Sequence, residues 1–205
     1  MRILFIKHHP TRANKHGIYA RANNIFPPLG LVVLSTVLKQ NDQNDVIEIL
    51  DSRAQNLNLN QVKLKIKAFN PDIIGITAIS ETVPGVIEAG EMCKELFPNV
   101  LRIIGGPHIK VNPESVMKLG LFQLGVIGEG EITMLEIVNE YKKSKKIPIN
   151  VIGTIVHNNG SIVKNESRPR IEDLDSVPIP DRHFLNNDLY GPYLAKKPWT
   201  YMVVL

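Results

Sequence analysis

From residue 2 to about residue 143, short apolar runs alternate with stretches whose apolar residues recur at helical spacing. The runs are rich in Ile, Leu and Val, as in residues 2–7, 46–50 and 73–77. The stretches between them repeat their apolar residues every three or four positions, as in residues 28–40. Parallel strands need a crossover connection, usually a helix, so this alternation predicts an α/β fold with a doubly wound, mainly parallel sheet.

The alternation predicts five parallel strands and five helices. We expect strands at residues 2–7, 46–50, 73–77, 102–104 and 124–127, and helices at residues 28–40, 62–69, 86–96, 113–119 and 131–143. With 205 residues, of which 43% are hydrophobic, the chain can bury a core of ordinary size without a partner. Residues 1–147 are therefore predicted to form one α/β domain.

The pattern changes after residue 147. Two β-rich runs, 151–156 and 161–163, flank Asn159 and Gly160, and an Asn-Gly pair supplies the positive φ angles that a tight hairpin turn requires. Residues 148–167 are therefore predicted to form a small β-hairpin appendage. Residues 168–198 are rich in proline and acidic side chains, which predicts an extended linker. Residues 199–205 resemble a first strand, so we interpret 168–205 as leading to a further domain of a longer protein.

Composition argues against several classes of partner and site. The formal charge of +4 comes from scattered lysines, and the densest lysine cluster follows a helical stretch without interleaved aromatic residues, which favours a solvated helix end over a nucleic-acid surface. The single cysteine, Cys93, excludes a disulfide or a multi-cysteine metal site within this chain, and its helical spacing predicts a core position. No apolar run reaches the length of a membrane helix, and the apolar start is too short for a signal peptide, so we expect a cytoplasmic protein.

The residues that follow the predicted strands do not match the common phosphate-binding motifs. A dinucleotide fold needs Gly-x-Gly-x-x-Gly after the first strand, where this chain has residues 8–11, His-His-Pro-Thr. A phosphate loop of the Gly-x-x-x-x-Gly-Lys-Ser/Thr type is absent from the sequence. A phosphate-receiver domain would be expected to carry an aspartate after the third strand and a lysine after the fifth, where Thr77 and Gly128 stand.

The strand exits are instead small and polar. They comprise Thr77, Ala78, Ile79 and Ser80; Gly105, Gly106, Pro107 and His108; and Gly128, Glu129, Gly130 and Glu131, while Pro27, Pro28 and Leu29 open the first helix. Ligands of doubly wound sheets bind outside the carboxyl ends of the strands, and glycines let a large flat molecule approach the backbone. These turns therefore predict a ligand slot at that edge of the sheet.

Each of these residues taken singly also has a structural interpretation. The glycine pair Gly105-Gly106 suits a tight turn, and Thr77 or Ser80 could cap the following helix. His108 follows a proline and is expected to be a surface histidine in a loop. Glu129 and Glu131 would favour a helix N-terminus through its dipole. The prediction of a slot therefore depends on the combination.

Five motifs carry a resemblance to a known family. They are residues 27–31 (Pro-Pro-Leu-Gly-Leu), residues 71–77 as the third strand, residues 105–108 (Gly-Gly-Pro-His), residues 128–131 (Gly-Glu-Gly-Glu) and residues 171–180. In this order and spacing the chain resembles the cobalamin-binding domain that precedes the catalytic barrel of cobalamin-dependent radical SAM enzymes. The resemblance covers almost the whole chain and implies a flavodoxin-like or Rossmann-like fold with cobalamin as the cofactor.

The resemblance also implies where the cofactor would lie. In related domains the nucleotide tail threads between the sheet and a helix, and the corrin ring lies across the carboxyl ends of the strands. Thr77 and Ile79 match the family's Ser-x-Leu turn, and Gly105 and Gly106 match the glycine pair that lets the tail pass. The turns at 27–29 and 128–131 would then flank the tail or the corrin edge.

The chain departs from the related domains in two ways. The Asp-x-His-x-x-Gly motif that supplies a lower cobalt ligand is absent, because His8, His9 and His16 lack its spacing. The resemblance therefore implies cobalt without a histidine ligand, an open position that would favour methyl loading or release. The three cysteines that would hold a [4Fe-4S] cluster are also absent, so we expect no catalytic or metal-ligating residue in this chain. The cluster and S-adenosylmethionine would belong to a C-terminal radical SAM domain of the parent, a methyltransferase or cyclase.

Two alternative functions remain open from the residues. The chain could be a stand-alone α/β binding or interaction module with an empty slot. It could also be part of a nucleotide-sugar-binding enzyme built on a similar sheet. Retention of cobalamin would favour a cobalamin-binding domain over both alternatives. A rise in melting temperature with uridine nucleotides would favour the nucleotide-sugar-binding enzyme.

Overall fold

The computed structural model describes residues 1–9, 25–158 and 160–190. The strands within these ranges are β1 (Arg2–Lys7), β2 (Val46–Asp51), β3 (Ile73–Thr77), β4 (Leu101–Gly105), β5 (Leu124–Val126), β6 (Thr154–Asn158) and β7 (Ser161–Lys164). The α-helices are α1 (Leu29–Asn41), α2 (Leu59–Phe69), α3 (Val83–Leu96), α4 (Pro107–Val111), α5 (Pro113–Lys118) and α6 (Glu131–Ser144). His16, Asn159 and the predicted strand at 199–205 lie outside the described residues.

The strands form one mainly parallel sheet in the order β2-β1-β3-β4-β5-β6-β7. Strands β1 to β5 are parallel, whereas β6 pairs antiparallel with β5 and β7 pairs antiparallel with β6. The α/β class and the mainly parallel sheet are therefore as predicted.

The predicted number of strands is wrong, because the described residues form a sheet of seven strands rather than five. The hairpin is not a separate appendage: Gly125 of β5 lies opposite Ile155 of β6, so the hairpin continues the sheet. Without β6, the outer edge of β5 would leave unpaired backbone N–H and C=O groups. The sequence showed the hairpin turn but not the strand against which the hairpin packs.

Helices cover both faces of the sheet, and the side chains of β1 alternate between the two cores. Leu4 and Ile6 belong to the core that packs under α2 and α3, whereas Ile3 and Phe5 belong to the core under α1 and α6. All four are at most 2% exposed. A strand buried on both faces reads as a continuous apolar run, which explains why β1 and β3 lack polar alternation.

Two helices differ from their predicted extents for local reasons. Helix α2 begins earlier than residue 62, because Asn58 caps it: the Asn58 side chain accepts from Gln61 N at 3.0 Å, and Asn58 N donates to Gln61 Oε1 at 2.9 Å. Helix α4 was not predicted, and His108 lies in it rather than in a loop. Pro107 occupies its first turn, a position where proline costs no hydrogen bond.

Residues 165–190, which we call the strap, contact the α1 and α6 side of the domain. Arg168 Nε donates to Thr133 Oγ1 at 2.8 Å, and Arg168 also forms an ion pair with Glu136. Phe184 and Leu185 of the strap pack against the core under α1 and α6. No helix within the described ranges is long and apolar enough to cross a membrane.

Candidate cofactor site

The exits of β3 and β4 are joined by backbone hydrogen bonds. Ala78 N donates to Gly105 O at 2.8 Å, and His108 N donates to Ala78 O at 3.0 Å. The structure thus brings the 77–80 turn and the 105–108 turn into direct contact, as parallel strands with adjacent carboxyl ends require.

Gly106 is the residue that allows this contact. Its φ of 97° and ψ of 177° lie in a region that is essentially confined to glycine. A Cβ at this position would lie 2.6 Å from the carbonyl oxygen of Ala78 and 2.9 Å from Thr77 Oγ1. The second glycine of the pair is therefore required by the backbone itself.

Gly105 and Gly128 differ from Gly106, because they border open space. A Cβ on Gly105 would meet only Val126 Cβ, at 4.0 Å, and a Cβ on Gly128 would meet nothing within 4 Å. Gly128 has a φ of 91°, so its backbone still favours glycine. Two bare stretches of backbone thus remain accessible at the ends of β4 and β5.

Polar groups surround these glycines. Ser80 Oγ lies 3.2 Å from His108 Nδ1, which joins the 77–80 turn to helix α4 a second time. Ser80 does not cap α3, whose N-cap residue Thr82 also makes no capping hydrogen bond with its side chain. Among the described residues, no hydrogen bond involves the Thr77 hydroxyl. Thr77 therefore keeps a free donor and acceptor at the carboxyl end of β3.

The two glutamates of the 128–131 turn have different environments. Glu129 Oε2 accepts a hydrogen bond from Ile171 N of the strap at 2.7 Å. Glu131 Oε2 is buried at the first residue of α6 and has no hydrogen-bond partner among the described residues. A buried carboxylate oxygen without a donor is costly, so Glu131 is the acid that could accept from a ligand.

The 27–29 turn lies at the start of α1, and no described hydrogen bond links it to the glycine turns. Its neighbour Phe26 accepts a hydrogen bond from Lys7 Nζ through its carbonyl oxygen at 2.8 Å. Helix α1 nevertheless approaches the β5 exit, because a Cβ on Gly130 would lie 3.2 Å from Leu34 Cδ2. Helix α1 therefore lies directly against the 128–131 turn.

His8 is a buried residue rather than a loop ligand. It is 1% exposed, and its Nδ1 lies 2.9 Å from Ser52 Oγ while its Nε2 lies 3.0 Å from Glu88 Oε2. Both ring nitrogens are thus engaged, and a metal could bind His8 only after one of these contacts broke. Burial, followed by the charges of Lys7 and Arg53, lowers the pKa of His9 and favours its neutral form.

A second buried cluster at this edge was missed by the sequence analysis. Asp51, at the end of β2, is fully buried, and its Oδ2 accepts from Lys7 Nζ at 3.0 Å and from Tyr190 OH at 3.4 Å. Burial and the nearby Asp51 carboxylate raise the pKa of the Tyr190 phenol. The only sequence signal was a charged residue at the end of β1, Lys7, and another at the end of β2, Asp51. The order of the strands was needed to show that these two residues are neighbours.

Metal-ligating residues do not converge in the described part of the chain. No group of three or more His, Cys, Asp or Glu side chains there could hold a metal ion. Cys93 is buried in the core as predicted, and burial raises the pKa of its thiol to about 12. A thiol with this pKa is neither a ready nucleophile nor a ligand at neutral pH.

Comparison with known proteins agrees with the sequence motifs. Residues 15–138 match the family model of the B12 binding domain. The chain is 33% identical over 165 residues to an uncharacterized methyltransferase, PH0819, of Pyrococcus horikoshii, covering 80% of this chain and 35% of the relative. It is 31% identical over 194 residues to the anaerobic magnesium-protoporphyrin IX monomethyl ester cyclase of Rubrivivax gelatinosus, covering 93% of this chain and 34% of the relative. The chain thus spans about a third of the length of these relatives.

Solved structures show the same fold. The radical S-adenosylmethionine methyltransferase TsrM of Kitasatospora setae superposes with a TM-score of 0.63 at 19% identity, covering 80% of this chain and 30% of that one. The cobalamin-dependent S-adenosylmethionine radical enzyme OxsB superposes with a TM-score of 0.66 at 18% identity, covering 87% of this chain and 24% of that one. The resemblance inferred from the motifs is confirmed, and the chain belongs to the B12-binding domain family.

Proposed function

We propose that the chain holds cobalamin at the carboxyl ends of β3, β4 and β5, as the cofactor domain of a longer cobalamin-dependent radical SAM enzyme. The proposed contacts are Pro27, Pro28, Leu29, Thr77, Ala78, Ile79, Ser80, Gly105, Gly106, Pro107, His108, Gly128, Glu129, Gly130 and Glu131. The observation that carries the proposal is the bare backbone at Gly105 and Gly128, beside Gly106, whose backbone conformation is essentially confined to glycine.

The residues of this edge suit the chemistry of a corrin ring. A corrin is wide and flat and carries amide side chains, so it needs clearance together with hydrogen-bonding groups at its rim. Gly105 and Gly128 leave that clearance. The Thr77 hydroxyl and Glu131 Oε2, which have no hydrogen-bond partner in the described part of the chain, offer a donor and two acceptors. An amide N–H that reached Glu131 Oε2 would remove the cost of leaving that buried oxygen unpaired.

Cobalamin, when bound, supplies a cobalt centre able to carry a methyl group. This chain's own contribution is to bind and orient the cofactor, and His8 is held away from that role by Ser52 and Glu88. We therefore expect cobalt to have no lower ligand from His8. A spectrum of the bound cofactor with a nitrogen lower ligand, lost in the His8→Phe variant, would contradict this.

The rest of the radical chemistry belongs, on this proposal, to other parts of a longer protein. The chain has one cysteine, whereas a [4Fe-4S] cluster needs several cysteine ligands. OxsB was solved with aqua-cobalamin and S-adenosylmethionine bound, and TsrM with cobalamin and a [4Fe-4S] cluster bound. We propose that a C-terminal radical SAM domain supplies the cluster and S-adenosylmethionine in a cytoplasmic methyltransferase or cyclase.

Cofactor retention tests the proposal directly. The protein is mixed with hydroxocobalamin, free cofactor is removed by gel filtration, and the retained corrin absorbance is measured. Wild type is expected to retain cobalamin, and Gly105→Val to bind at least about tenfold more weakly, because its side chain fills the clearance. Ser161→Val adds the same side chain at an exposed position of β7 and is expected to behave as wild type.

Two results would contradict the proposal. One is a wild-type protein that retains no cobalamin, and the other is a Gly105→Val variant that binds as tightly as wild type while remaining folded. A parallel melting experiment with uridine nucleotides addresses the nucleotide-sugar alternative. A rise in melting temperature there, without cobalamin retention, would replace the present proposal.

A further inference from the structure

The strap contacts the 128–131 turn directly, and it is linked through Asp51 and Lys7 to Phe26, the residue before the 27–29 turn. At its first end, Ile171 N donates to Glu129 Oε2 at 2.7 Å, and Glu129 belongs to the 128–131 turn. Just before this contact, Arg168 is held by Thr133 Oγ1 at 2.8 Å, in the first turn of α6. The strap is therefore bound both to the 128–131 turn, which follows β5, and to helix α6, which follows that turn.

At its other end, the strap is linked to the entrance of α1 through two side chains, the buried Asp51 and the partly exposed Lys7. Tyr190 OH donates to Asp51 Oδ2 at 3.4 Å, and Lys7 Nζ donates both to Asp51 Oδ2 at 3.0 Å and to Phe26 O at 2.8 Å. Phe26 directly precedes the 27–29 turn. Tyr190 is 5% exposed and Asp51 is fully buried, so the hydrogen bond between these two side chains is shielded from competing water.

Between its two ends the strap crosses α1. Asp181 N donates to Thr36 Oγ1 at 2.9 Å, and the same hydroxyl donates to Val32 O at 2.8 Å within the helix. Phe184 and Leu185 follow and pack against the core under α1 and α6. Helix α1 is thus held from outside by the strap and from inside by the sheet.

We propose that the strap is a tie that sets how tightly cobalamin is retained, with Thr36 and Tyr190 as positioning residues. This inference rests on the proposed function. Helix α1 lies against the 128–131 turn, since a Cβ on Gly130 would be only 3.2 Å from Leu34 Cδ2. An outward movement of α1 away from the 128–131 turn would have to break the Thr36 contact, the Tyr190 contact or both. Retention of a cofactor beside this turn therefore depends on a segment that is not among its proposed contacts.

Variants at Thr36 separate the tie from the helix. Thr36→Val keeps the shape of the side chain and removes the acceptor for Asp181 N, whereas Thr36→Ser keeps the acceptor. Ser35→Ala is the matched control, because Ser35 Oγ donates to Leu31 O at 2.8 Å in the same way within the helix but makes no hydrogen bond to the strap. Tyr190→Phe removes one hydroxyl at the far end of the strap and keeps the ring.

Two measurements are made on each variant. Hydrogen exchange without cofactor reports opening of peptides that cover residues 127–131 and 168–190. The dissociation rate of hydroxocobalamin reports retention. Thr36→Val and Tyr190→Phe are expected to exchange faster in both peptides and to release cobalamin about fivefold faster, the factor expected for one lost hydrogen bond. Thr36→Ser and Ser35→Ala are expected to match wild type in both measurements.

The outcomes distinguish this inference from the proposed function. Faster exchange of the strap with an unchanged dissociation rate would overturn the tie while leaving cobalamin binding intact. Unchanged exchange in Thr36→Val and Tyr190→Phe would overturn it as well. If wild type retains no cobalamin, the proposed function fails, and the part played by the strap in retention fails with it. Hydrogen exchange at residues 127–131 would then show only whether loss of a strap contact opens the 128–131 turn.

Discussion

Replacing Gly106 by alanine is expected to destabilise the fold by about 3–4 kcal/mol. The backbone angles of Gly106, φ 97° and ψ 177°, cost a residue with a Cβ roughly 1–3 kcal/mol. The new Cβ would also lie 2.6 Å from Ala78 O, so the β3 exit would have to shift. That shift strains the hydrogen bonds from Ala78 N to Gly105 O and from His108 N to Ala78 O, each worth about 1 kcal/mol.

Gly105→Ala is the matched control for this prediction. Its Cβ would meet only Val126 Cβ, at 4.0 Å, which is ordinary van der Waals contact. Both substitutions reduce the freedom of the unfolded chain by the same amount, so the difference between them isolates the native-state strain at Gly106. Gly105→Ala is expected to stay within about 0.5 kcal/mol of wild type.

Urea denaturation followed by far-ultraviolet circular dichroism measures the free energy of unfolding of the three proteins. The expected order is wild type and Gly105→Ala together, with Gly106→Ala well below both. A Gly106→Ala variant within about 1 kcal/mol of Gly105→Ala would refute the reasoning, because the contact with Ala78 would then be relieved without cost.

Two further predictions concern polar contacts away from the glycine turns. His8→Phe removes the contacts of the buried ring with Ser52 and Glu88. It is expected to lower the free energy of unfolding, measured by urea denaturation, by about 2–3 kcal/mol. A loss under about 0.5 kcal/mol would contradict the structural role of His8. The hydrogen bond from Lys142, followed by one from the Asn44 backbone N–H, lowers the pKa of Asp42 from 3.8 to about 2. This carboxylate therefore stabilises the fold above its unfolded pKa, and the contribution is lost as the pH falls towards 2. Lys142→Met is therefore expected to lose less stability than wild type between about pH 4 and pH 2, and parallel pH profiles of the two proteins would argue against the effect.

The sequence by itself determined most of the strands and helices, and it predicted the edge of the sheet at which we propose that a ligand binds. Hydrophobic periodicity is a local property, so β1 and β3 were located to the residue and α1 and α6 to within one residue at each end. The glycine pair at 105–106 was informative for the same reason, because a backbone conformation that only glycine adopts is a requirement of the local chain.

Other features depended on which strands lie side by side. The hairpin turn was visible in the sequence, but the pairing of β6 with β5, which makes the sheet seven-stranded, was not. The two acids of the 128–131 turn were equivalent in the sequence. The strap distinguishes them, because Ile171 binds Glu129 while Glu131 Oε2 is left without a partner among the described residues.

Only the tertiary structure decided the buried clusters at the carboxyl edge. Tyr190 and Asp51 are 139 residues apart in the chain, and His8 and Glu88 are 80 apart. Their contacts follow from the position of β2 beside β1 and from the return of the strap across α1. Local propensity does not encode such pairings, because their free energy arises only when the whole sheet has assembled and buried the groups together.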